Sequence, residues 1–219
     1  MIELPGEGEV MDSYPFVFTI LFMLLGPLKV IGPFASVTRE RDDAFVRSVA
    51  ISATLASAAI LAFIALAAGG MLGKFHLSLP SLKIAGGLVL LIAALRTMFG
   101  ESAVPDAGKP NRGALAVAVS PITIPIIVPP AGVAALLILA AVAPELPGIT
   151  KVMAVSLAII VVLNFLVMFF NRAIVKLGVV MLVLTLIGAV LVFIQAALAI
   201  DTILMGFKDL GLFKPNVAL

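Results

Sequence analysis

A chain of 219 residues that is 63% hydrophobic and 12% charged, with a mean hydropathy of +1.27 and a formal charge of +2, cannot cover itself with polar surface in water. Without cysteine it has no disulfide framework, thiolate metal site or cysteine nucleophile, and a single histidine, His76, excludes a site built on two. The small charge, with basic residues scattered between apolar runs, excludes a nucleic-acid partner and leaves membrane lipid as the expected surroundings.

The N-terminal stretch carries Glu3, Glu7, Glu9 and Asp12 and no Lys or Arg. It lacks the basic n-region of a signal peptide, so the first apolar span is expected to stay in the protein. Six apolar spans follow, at about 15–38, 44–68, 82–99, 114–142, 152–170 and 179–200. Each is long enough to cross a hydrocarbon core of about 30 Å as a helix. None alternates in polarity, which argues against barrel strands. The connections are short, hold most of the charge and are punctuated by Pro and Gly, so the chain reads as one membrane domain over 1–219.

Span one contains Gly26-Pro27-Leu28-Lys29-Val30-Ile31-Gly32-Pro33-Phe34. Proline removes a backbone donor and clashes with the preceding turn, so two Gly-Pro pairs predict an unwound or kinked helix. In lipid, freed backbone groups must find partners, which confines such a break to the bundle interior or to the edge of a water-filled cavity. Lys29 is the one charge well inside a span. It either faces a pathway or snorkels to the inner surface. Lys83 at the start of span three and Arg96 near its end read as interfacial anchors.

Span four holds the counterpart, Ser120-Pro121-Ile122-Thr123-Ile124-Pro125-Ile126-Ile127-Val128-Pro129-Pro130-Ala131-Gly132. Four prolines so close together cannot sit in one continuous helix. Asn164, mid-way along span five, shares a helical face with Asn171, and Thr185 lies inside span six. These polar residues serve either a pathway or interhelical hydrogen bonding.

The halves 14–100 and 113–206 each hold three spans, the first of them broken by proline. Leu82–Ile92 overlays Leu184–Ile194, with Gly86 on Gly188. An odd number of spans per half requires opposite insertion, so the pattern predicts two inverted three-helix repeats, a pointer to a secondary transporter. The glycines alone are equally a sign of close helix packing. Eight Lys and Arg fall on one face, including Arg39, Arg41, Arg47, Arg96, Lys109, Arg112, Arg172 and Lys176. Five fall on the other, Lys74, Lys83, Lys151, Lys208 and Lys214. This bias predicts both termini outside. All twelve acidic residues lie in loops, tails or span ends, so no buried carboxylate carries protons. No acid–base pair, metal cluster or P-loop can be assembled, and an enzyme is not expected.

The Gly26–Phe34 segment, the string Leu79-Pro80-Ser81-Leu82-Lys83-Ile84-Ala85-Gly86-Gly87 and the Pro-rich Ser120–Gly132 stretch resemble the MarC family of bacterial and archaeal membrane proteins, also called a neutral amino-acid transporter family. The resemblance covers all six spans. It implies a six-helix protein of the prokaryotic cytoplasmic (inner) membrane, with two inverted repeats. Some relatives are held to move small neutral amino acids such as glycine and alanine. Where many relatives carry Asn-Pro or Asp-Pro, this chain has Gly26-Pro27.

The expectation is therefore an all-α secondary transporter or facilitator of a small solute, with helices one and four broken at Pro and Gly. Its substrate site would draw on Gly26, Pro27, Lys29, Gly32, Pro33, Ser120, Pro121, Thr123, Pro125, Pro129, Pro130, Asn164 and Thr185. No cofactor or metal site is expected, with room for a coupling cation such as sodium or a proton, and for a homo-oligomer. The alternatives are a carrier or exporter of lipid-linked or amphipathic compounds, favoured by a lateral opening, and a non-transporting assembly or regulatory protein, favoured by a dry, closed centre.

Overall fold

The structure, a computed structural model, describes residues 7–100, 112–144, 146 and 148–212, with side chains from residue 14 onward except Met71. The acidic side chains up to Asp12, the connection 101–111 with Lys109, and Lys214 lie outside the described residues. Among the described residues every regular element is helical. Helix α1 (Glu7–Leu25) is followed by a 3-10 turn (Pro27–Lys29), α2 (Ile31–Thr38), α3 (Asp43–Lys74) and α4 (Leu79–Met98). Then come α5 (Ala114–Val117), a wide-turned segment Ala118–Ile127, α6 (Pro130–Val142), α7 (Ile149–Phe169), α8 (Asn171–Lys176) and α9 (Gly178–Asp209). Five helical stretches are long and apolar enough to cross a membrane, or six when the bent pair Ala114–Ile127 and Pro130–Val142 counts as one span.

Several boundaries differ from the sequence reading. The stretch Gly69–Lys74 reads as a loop, yet α3 continues through it for 32 residues. A helix that satisfies its own backbone tolerates glycine in and near lipid far better than in water. It ends where His76 takes φ 51°, with His76 N–H on Gly73 O and Leu77 N–H on Leu72 O, a left-handed cap that usually calls for glycine. Helix α9 also runs past Ile200, through Asp201 to Asp209. Helix α4 begins earlier than its apolar run because Ser78 accepts from Ser81 N–H, leaving Pro80 in the first turn where its missing N–H costs nothing.

Helix α7 is the central post. Val152, Met153, Ser156, Leu157, Ile160, Asn164 and Met168 recur at helical spacing on its buried face, while Val155, Ile159 and Val162 point outward. Against the buried face pack Leu21, Leu24 and Leu25 of α1, with Phe34 of α2 and Ile122, Ile127 and Leu136 of span four in the same core. At one end, Arg172 of α8 donates to the Asp43 carboxylate and to the Arg41 carbonyl, tying the α2–α3 turn to α8.

Helices α4 and α9 pack antiparallel and very close. A Cβ on Gly87 would lie 2.6 Å from Ile203 Cγ1 and 2.9 Å from the Ala199 carbonyl oxygen. A Cβ on Gly206 would lie 2.6 Å from Ile84 Cγ1 and 2.9 Å from the Pro80 carbonyl oxygen. Each helix thus lays an isoleucine over the other's glycine, and Lys83 closes the same end on Asp209 at 2.7 Å. In lipid the drive for this pairing is packing rather than exclusion of water, so close approach at small residues sets its strength. Gly86 packs similarly on Ile138, whereas Gly188 has nothing within 4 Å. Gly206→Val is expected to lower stability by about 1–3 kcal/mol through overpacking. Gly69→Ala, in open space, should not. Survival of monodisperse protein after stepwise heating in detergent measures both, and equal midpoints would refute the close-packing account.

Candidate functional site

Span one breaks at Gly26, which is extended at φ −79° and ψ 170°. A Cβ there would sit 2.0 Å from the Phe22 carbonyl oxygen, so the sharp exit from α1 requires glycine. Pro27 to Lys29 make one tight turn, closed by Val30 N–H on Pro27 O at 3.0 Å, before α2 resumes. Once Gly26 leaves the helix, the Leu25 carbonyl loses its partner four residues on. Asn164 replaces it, its Nδ2 donating to Leu25 O at 2.8 Å. Seven residues later Asn171 Nδ2 donates to Ile31 O at 3.0 Å. The two asparagines therefore grip the break on both sides. Asn164 Oδ1 is buried and has no partner among the described residues, as is Ser156 Oγ.

Span four breaks at its pre-proline residues. A proline ring drives the preceding residue out of the helical region. Ser120 (φ −142°, ψ 123°) and Ile124 (φ −122°, ψ 121°) are both extended, and the Ser120–Pro121 and Ile124–Pro125 peptides are cis. Val128 N–H returns to Thr123 O at 2.8 Å, and buried Thr123 Oγ1 donates to the Ala53 carbonyl of α3 at 3.3 Å. Pro129 is extended and Pro130 opens α6, which is bent 58° from the first half of the span. The two breaks touch: a Cβ on Gly132 would lie 2.3 Å from Leu25 Cδ2.

Beside this contact lies a cavity of about 960 Å³. Its wall takes Lys29, Gly32 and Pro33 from span one and Pro125, Pro129 and Pro130 from span four. The facing wall is the C-terminal half of α4, Val89 to Met98, and the N-terminal half of α9, Met181 to Val192. At its inner end Lys29 Nζ donates to Gln195 Oε1 at 3.2 Å, and Gln195 Nε2 donates to the Leu90 carbonyl at 3.2 Å. Lys29 thus points inward, to α9. From Val89 the wall climbs seven residues, roughly 10 Å, to Arg96. Arg96, Thr97 and Met98 are exposed, so the cavity opens at that end of α4.

Of the residues singled out in the sequence, Lys29, Gly32, Pro33, Pro125, Pro129, Pro130 and Thr185 line the cavity. Gly26, Pro27, Pro121 and Thr123 are buried at the breaks, off the wall, and Ser120 is exposed. Asn164 is committed to Leu25, and Thr185 Oγ1 returns to Met181 O of its own helix. Arg96, which reads as an interfacial anchor, is exposed and also borders the open end of the cavity. Gln195 was missed. It is the chain's sole glutamine, set inside an apolar span and 2% exposed, and that isolation was the available signal.

A family model described as "MarC family integral membrane protein" matches residues 11–210. The chain belongs to the MarC family. It is thus an integral, multi-pass membrane protein. A "UPF0056 membrane protein" of Archaeoglobus fulgidus is 29% identical over 126 residues, covering 56% of this chain and 59% of that relative. The match thus spans little more than half of the relative's length. No solved structure matches. The family membership extends over both breaks and the whole cavity wall.

Asn164→Leu leaves the Leu25 carbonyl buried without its donor and should cost about 1–3 kcal/mol. Thr185→Val, which removes only a bond within α9, should cost far less. Thermal survival in detergent separates them, and a fully stable Asn164→Leu protein would show that the asparagine carries nothing.

Proposed function

We propose that this protein is a secondary transporter or facilitator for a small solute, with its binding site in the cavity between the broken spans and the α4–α9 pair. The observation that carries the reading is a cavity of about 960 Å³ walled by both proline breaks at once. Breaks that served packing alone would leave a dry, closed centre there. A cavity bounded by interrupted helices, with half-helix ends and backbone at its edge, is instead the arrangement of carriers. The two breaks are taken as equivalent parts of inverted three-helix repeats. Pro27 and Pro129 are as far apart in sequence as Gly86 and Gly188, which supports that pairing.

The excess of Lys and Arg at the end holding Arg41, Arg96 and Arg172 supports assigning it to the cytoplasm, with both termini outside. The cavity would then be open inward. Small neutral amino acids such as glycine and alanine are the first substrates to try, with Lys29 meeting the carboxylate. No carboxylate lines the cavity among the described residues, so coupling to sodium or a proton would draw on backbone carbonyls or Lys29. An amphipathic solute is the second reading. Exposed Thr185 and Ala189 on the α9 wall support it, because they mark an opening beside a helix that otherwise faces lipid.

Counterflow of labelled glycine and alanine into liposomes holding the purified protein tests the reading, with and without a sodium or pH gradient. Saturable exchange of either amino acid, or of an amphipathic solute in their place, is expected, and it should be lost when Pro121–Pro130 is rebuilt as regular helix. Folded protein that exchanges neither amino acid, nor any amphipathic solute tried in their place, would overturn the carrier assignment.

A further inference from the structure

We propose that the cavity selects a monoanion with an aliphatic body, such as a medium-length or branched carboxylate, whose charged end sits on Lys29. The inference rests on the carrier reading above and names its substrate class.

The lysine is the first reason. Lys29 lies half-buried inside span one, on the cavity wall, and its Nζ donates to a neutral acceptor, Gln195 Oε1. An ammonium has three donors to place. Charges at membrane depth are costly and normally meet an opposite charge or ring of acceptors. Among the described residues no carboxylate lines this cavity. A bound anion supplies the missing charge.

The second reason is that the lysine is held where it is. Gln195 is itself fixed, its Nε2 on the Leu90 carbonyl, so Lys29 is tied through α9 to α4 at the inner end of the cavity. A snorkelling lysine would need no buried acceptor anchored to a third helix. Gln195 is thus a positioning residue that keeps the ammonium at the cavity's inner end.

The third reason is wall chemistry. Among the described residues the other charge on its wall is Arg96, at the open end, and the rest is largely apolar, with Phe22, Leu28, Ile92, Leu184 and Leu191 facing the space. A small zwitterion would leave its ammonium against Lys29 or against that wall. A neutral solute would leave the lysine uncompensated, and a cation would be repelled. An aliphatic carboxylate satisfies both ends, one by a charge-assisted hydrogen bond and the other by apolar contact.

The natural absence of cysteine allows a direct test on the full chain. A Gly188→Cys protein, carrying its single thiol on the cavity wall, is labelled with a water-soluble maleimide in the presence of hexanoate, hexanamide, hexylamine or glycine. Hexanoate is expected to slow labelling, and its neutral and cationic counterparts to do so at least tenfold more weakly, the factor expected for a hydrogen bond to a charged group. Adding Lys29→Met should abolish the distinction, Lys29→Arg should retain it and Gln195→Leu should weaken it. Each variant is first checked for monodispersity. Equal protection by hexanoate and hexanamide would overturn the proposal, as would undiminished discrimination in the Lys29→Met protein. Protection by glycine alone would overturn it while leaving the carrier reading intact. Protection by hexanoate without any solute exchange in liposomes would sustain the site and sink the carrier reading instead.

Discussion

A backbone that unwinds inside a membrane must find partners for the carbonyls it frees, and in this protein α7 supplies one to the Leu25 carbonyl while α8 bonds the start of α2. The extended Gly26 detaches the Leu25 carbonyl from its helix, and Asn164 takes it up. Asn171, seven residues further on, bonds the Ile31 carbonyl where α2 begins. Water would otherwise have to do this, or the break could not exist at this depth. These two bonds flank the 3-10 turn that carries Lys29.

The second break solves the same problem by a different route. Its prolines bring no N–H to orphan, and the residues ahead of them are pushed into extended backbone. Thr123 then fastens the segment to α3 through the Ala53 carbonyl. One break is held by asparagines from the second half of the chain, the other by a threonine reaching into the first half. The two halves are therefore pinned to each other at both interruptions, and Leu25 against Gly132 is where they meet.

The spans were legible because apolar length is a coarse and robust signal, and the prolines announced the breaks. Helix ends were less so. Glycines at 69, 70 and 73 and the acid at 201 look like punctuation in water, yet lie within helices here. The shared face of Asn164 and Asn171 was readable from their spacing, but their acceptors were not, because a carbonyl freed by a neighbouring helix leaves no mark in the sequence around the donor. Gln195 passed unnoticed for a related reason. A single amide in an apolar span gains meaning only when Lys29, some 166 residues away, comes within hydrogen-bonding distance of it.

Helix α9 has 32 residues and its partner α4 has 20. The interlock of Ile84 on Gly206 and Ile203 on Gly87 uses up α4 against the C-terminal part of α9. Roughly 18 Å of α9 is left to run on without that companion. Along this stretch Val179, Leu182, Leu186 and Val190 are exposed on the outer side, while Thr185 and Gly188 border the cavity. One unescorted rod then stands between the acyl chains and the space beside Lys29. The unequal lengths of two paired helices thus act as a doorframe with a single jamb, and the place where the glycines stop sets where it begins.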